Sequence, residues 1–182
     1  METSDLIRHL DLESLRRGRP GLSTAYGSAL AEAASVCFEE EGHPCGVSMD
    51  LDAPERWVFE VRWPTLSANA FSTWADGPFA TEQGAYGIAI MVVEAVTGLE
   101  VKERSKKGTG FDYWLGPPES EARLFQDLTR LEVSGIRRAE RSQVDSRVQT
   151  KIRQTERSDD LGISAYIVIV EFGRPLSVLR TR

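Results

Sequence analysis

The chain has 182 residues, 41% hydrophobic and 27% charged. That is enough for one buried core and too little for two, and it excludes disordered, collagenous and disulfide-rich classes. With 22 basic against 28 acidic residues the formal charge is −6, so there is no global attraction to polyanions. Basic side chains instead gather at 102–107 and 137–157, while acids dominate 32–60. The longest apolar stretch, 85–96, contains Gly87 and Glu94 and is too short to span a bilayer. No secretory pattern opens the sequence, so no membrane partner and a cytoplasmic location are expected. Cys37 and Cys45 are expected to be ordinary thiols.

In chain order, the first twenty residues read as a short helix or loose arm, broken at Arg16-Arg17-Gly18-Arg19-Pro20. Over 22–41, Tyr26, Leu30, Ala33, Ala34, Cys37 and Phe38 recur at helical spacing, and Gly42 and Pro44 end the run. Residues 46–51 and 56–63 predict a hairpin around Asp52-Ala53-Pro54-Glu55, with Trp57, Phe59 and Trp63 on a core or dimer face and Pro64 as its end. A loop is expected over 64–78. Residues 81–97 are apolar nearly all round, which predicts a buried helix stopped by Gly98. Glu94 sits near its C-terminal end, where its charge is unfavourable, and a strand lysine is one partner open to it. Strands follow at 99–105, 111–115 and 124–134, the first two joined by a tight Lys106-Lys107-Gly108-Thr109-Gly110 turn. Ser142 and Asp145 would cap a helix running to about 157, and 165–172 is a strand buried on both faces.

Only His9 and His43 are histidines and no Cys-x-x-Cys occurs, which argues against a zinc site or a serine triad. Carboxylates are the remaining chemistry. Asp112 opens one strand and Glu132 closes the next, so antiparallel pairing sets them side by side, where two hard oxygen ligands can share a divalent cation. Strand alternation puts Ser134 on the Glu132 face. On the following helix Val144, Val148 and Ile152 form the core stripe with Lys151 at its edge, and Gln143, Arg147 and Lys151 make a polar ridge. The N-terminal end of the buried helix brings Glu82 toward the same sheet edge.

The order helix, three strands, helix, strand, with Gly-Thr-Gly-Phe-Asp112-Tyr-Trp-Leu followed by Arg130-Leu-Glu132-Val-Ser134-Gly135, resembles the restriction-endonuclease-like PD-(D/E)XK nuclease superfamily over residues 81–172, about half the chain. The resemblance implies an α/β fold: an αβββαβ core with a mixed central sheet flanked by helices, plus an N-terminal helix and β-hairpin. The whole of 1–182 would be one domain, with an extension over 1–79 and the nuclease-like core over 80–175. It implies Asp112 and Glu132 as ligands of Mg²⁺ or Mn²⁺ and Glu82 as an auxiliary acid. The chain departs from the pattern at Ser134, where the family has lysine, and Lys151 is the replacement within reach. Lys106, Lys107, Gln143 and Arg147 would contact nucleic acid. The implied activity is phosphodiester hydrolysis, with DNA the favoured substrate, by a homodimer or a subunit of a larger assembly acting in defence. The rival reading is a nuclease-like fold that binds without cleaving.

Overall fold

The computed structural model describes residues 8–119 and 128–182. Among these, eight strands form one mixed sheet. They are β1 (Arg8–Asp11), β2 (Val47–Asp52), β3 (Trp57–Arg62), β4 (Glu100–Arg104), β5 (Tyr113–Gly116), β6 (Thr129–Ile136), β7 (Ala165–Glu171) and β8 (Leu176–Thr181). Their spatial order is β1-β3-β2-β8-β7-β6-β5-β4. The helices are α1 (Thr24–Glu40), α2 (Ala68–Thr73), α3 (Gly77–Thr97) and α4 (Arg141–Thr155). No helix among the described residues is long and apolar enough to cross a membrane.

Alternation along β7 separates two cores. Val168 and Val170 join Leu131 and Val133 of β6 against α1 and α3, whereas Ala165, Ile167 and Ile169 join Val144 and Val148 of α4 on the opposite face. Phe59 and Trp63 belong to the larger core, so the hairpin's aromatic face packs inward. The side chain of Glu132, between Leu131 and Val133, therefore faces α4.

Helix α3 begins four residues before its predicted start. Asp76 caps it by accepting the Phe79 N–H at 3.2 Å, with Pro78 in the first turn, and it stops at left-handed Gly98, φ 72°. Two glycines set its approach. A Cβ on Gly84 would lie 2.9 Å from Ala34 Cα of α1, and one on Gly135 of β6 would lie 2.4 Å from the Thr81 carbonyl oxygen. Gly135 thus lets the first turns of α3, with Glu82, settle directly onto β6.

Several expectations need correction. The N-terminal arm has the expected short helix, a 3₁₀ helix over Leu12–Arg17, but before it lies an edge strand, β1, parallel to β3; residues 1–7 lie outside the described residues. The expected loop contains α2, whose C-terminal Trp74 is held to α1 by an indole N–H donated to Glu32 at 2.9 Å. Helix α4 is capped by Glu140 and Gln143, not Ser142 and Asp145, since the Gln143 Oε1 accepts the Glu140 N–H at 2.8 Å. Glu94 pairs with Arg19 at 2.7 Å, not with a strand lysine. The third predicted strand begins at Thr129, and the residues expected to open it at 124–127 lie outside the described residues. Strand β8 was not predicted; it pairs with both β7 and β2, so extension and core share one continuous sheet.

Candidate active site

Backbone pairing brings the two acids together. Tyr113 of β5 lies opposite Leu131 of β6, which sets Asp112 alongside Glu132. Asp112 precedes β5 instead of lying in it, yet its backbone still bridges two strands: its N–H donates to the Leu131 carbonyl and its carbonyl accepts the Ser105 N–H, both at 2.8 Å. Its carboxylate is equally fixed, with Oδ2 accepting the Val133 N–H and Oδ1 the Tyr86 hydroxyl, both at 2.9 Å.

Glu132 is 1% exposed. Lys151 reaches across from α4 and donates to Oε1 at 2.5 Å and to Gln154 Oε1 at 3.2 Å. The other oxygen, Oε2, is buried without a hydrogen-bond partner. Burial, and then the neighbouring Asp112 charge, push the Glu132 pKa up to about 8 even though Lys151 pulls it down. With Lys151 on one oxygen only, a buried acid with its other oxygen orphaned beside a second carboxylate is short of positive charge.

The Tyr86 hydroxyl sits between Asp112 Oδ1 and Glu82 Oε1, 3.0 Å away, with one proton for two carboxylate oxygens. Burial and both acids raise its pKa, so it stays protonated. Behind it Arg104 donates to the hydroxyls of Tyr26 and Tyr113 at 2.8 and 2.9 Å and lies over the Tyr86 ring. The sequence places Tyr86, with Glu82 and Gln83, at the N-terminal end of α3 near the sheet edge of Asp112, without a role. Its bridging role follows from the i, i+4 spacing to Glu82 once Asp112 is placed.

A cleft of about 620 Å³ opens beside these groups, lined among others by Glu82, Ser134, Arg137, Arg147 and Lys151. Arg147 donates to Ser134 Oγ at 3.0 Å, so the serine carries an arginine where a lysine was expected from the family pattern. Arg137, within the basic stretch but not singled out from sequence, is anchored by Glu40 at 2.6 Å. Gln143 is occupied in the α4 cap, and neither it nor Lys106 and Lys107, exposed in the β4–β5 turn, lines this cleft. A larger cleft of about 820 Å³ lies between β2, β8 and the start of α4. Two of the acids lining it are already satisfied: Asp52 by Arg141 and Arg180, and Glu171 by the Gly173 and Arg174 N–H groups.

Among the described residues, no three His, Cys, Asp or Glu side chains form a metal-holding group. Two carboxylates suffice for Mg²⁺, which usually keeps water and phosphate oxygens in its remaining positions. The orphaned Glu132 Oε2 and the second lone pairs of Asp112 suit such a cation. Comparison with protein-family models, curated proteins and solved structures finds no match.

Proposed function

We propose that this chain is a divalent-metal-dependent nucleic-acid phosphodiesterase built on a restriction-endonuclease-like core. Helix α3, strands β4, β5 and β6, helix α4 and strand β7 follow in the order of that core, with β4–β5–β6 antiparallel and β6–β7 parallel. The observation that carries the reading is the Lys151 amine 2.5 Å from Glu132 Oε1, delivered from α4 to a sheet whose own motif position holds Ser134.

Mg²⁺ or Mn²⁺ held by Asp112 and Glu132 would supply positive charge at the scissile phosphate and acidify water beside it. Lys151 remains next to Glu132, where its ammonium stabilises charge developing on the phosphate oxygens. Arg147, braced on Ser134, and Arg137 offer guanidinium groups to the flanking phosphates. Tyr86 fixes the orientation of Asp112 and holds Glu82 ready as an auxiliary acid. DNA, a homodimer or subunit role, a cytoplasmic setting and a part in defence complete the proposal. The net charge of −6 favours the rival reading, a fold that binds without cleaving. Incubation with plasmid and single-stranded DNA in Mg²⁺ or Mn²⁺ decides between them: cleavage that disappears in Asp112→Ala and Glu132→Ala is expected, and no cleavage by the intact chain contradicts the enzyme.

A further inference from the structure

Among the described residues two large apolar side chains are notably exposed, Phe79 at 50% and Phe71 at 37%. Both lie at the α2–α3 corner. Phe79 is in the first turn of α3, three residues before Glu82 and seven before Tyr86, so the three form one ridge with neighbouring Cβ atoms about 5–6 Å apart. That ridge leads from the exposed ring to the hydroxyl that holds Asp112. Pro78, Thr81 and Glu82 on the same turns line the cleft.

The Phe79 ring is held firmly. It stacks on Trp74 with centroids 5.7 Å apart and planes 20° from parallel, and Trp74 is itself fixed to Glu32 of α1. Phe79 does not itself line the cleft, but Pro78 before it and Glu82 one turn on do, and Arg137, Arg147 and Lys151 line the same cleft. Resting on the nuclease reading, we infer that Phe79, backed by Trp74, stacks on an unpaired nucleobase next to the scissile phosphate, so that the substrate is single-stranded or frayed nucleic acid. Bases inside a duplex already stack on one another and offer no free face to a side chain, whereas unpaired bases do. Two exposed rings are far short of the area that a stable protein partner buries, and the basic rim suits a phosphate backbone.

The test measures binding of a short fluorescein-labelled single strand, and of the same strand annealed to its complement, to the full chain in Ca²⁺, with cleavage followed separately in Mg²⁺. Loss of one base stack should weaken single-strand binding by Phe79→Ala about tenfold or more and leave duplex binding unchanged, with Phe79→Trp retaining the affinity. Equal effects on both strands, or none, overturn the inference. Conversion of a dimer to a monomer by Phe79→Ala with single-strand affinity intact also overturns it and assigns the patch to a second copy. Phe79-dependent binding without cleavage of either strand form upholds the stacking and removes the nuclease; cleavage indifferent to Phe79 does the reverse.

Discussion

Replacing Glu132 with Gln should stabilise the metal-free protein, and increasingly so as pH rises. The Glu132 carboxyl is buried, has an unpartnered Oε2 and faces Asp112, so its folded pKa rises from 4.5 to about 8. An acid with a raised folded pKa leaves stability intact below its unfolded value and removes it as pH climbs through the folded one. The loss therefore runs from about pH 4.5 to about pH 8. Linkage over that shift sets a ceiling of about 5 kcal/mol, and leaving one buried acceptor unsatisfied costs about 1–3 kcal/mol, so about 3 kcal/mol is expected. For a chain of this size that raises Tm by about 6–12 °C. Glutamine closely matches the protonated acid, so the two proteins should melt together near about pH 5 and diverge by about pH 9. Thermal denaturation in chelator across this range reads the difference. A constant gap at all pH values, or a less stable variant in alkali, refutes the reasoning, because either means that Glu132 is not strained by its charge.

Lys151→Ala should lower kcat about 10²–10³-fold with little change in KM, the usual cost of removing one preorganised charge from a transition state. Adding Ser134→Lys to that variant should restore part of the rate, since the β6 position faces the same cleft; steady-state cleavage kinetics of the single and double variants check both. The two thiols should also differ. Cys37 is buried on the inner face of α1 with its pKa pushed up to about 11, whereas Cys45 is exposed, so iodoacetamide at mildly alkaline pH should modify Cys45 alone in the native protein, as peptide mass mapping would detect. Equal labelling of both would contradict the packing of α1 on the sheet.

What could be read from the sequence was whatever rests on local periodicity. Helix α3 announces itself by an apolar run and Gly98, and the β2–β3 hairpin by alternation and its turn. The meeting of Asp112 and Glu132 follows from antiparallel pairing, and the reach of Lys151 from its place beside the Val144/Val148 stripe. The missed elements owe their form to distant partners. Strand β8 has only six residues, and its place between β7 and β2 depends on pairings across the whole chain. Helix α2 ends on Trp74, whose indole is fixed to α1 forty-two residues away. The Glu94 partner, Arg19, is seventy-five residues distant, which no local pattern encodes. The four-residue repeat of Gln143, Arg147 and Lys151 predicts a nucleic-acid ridge, but the cap with Glu140 competes for the Gln143 side chain and prevails.

Metal-dependent hydrolysis at this site requires Asp112 and Glu132 to hold one cation between them. Anomalous scattering from crystals soaked in Mn²⁺ measures this directly. The expected result is a single strong peak in the cleft within about 2.1–2.3 Å of an oxygen from each carboxylate. A peak ligated by other residues, or saturating Mn²⁺ with no peak beside Glu132, would contradict it.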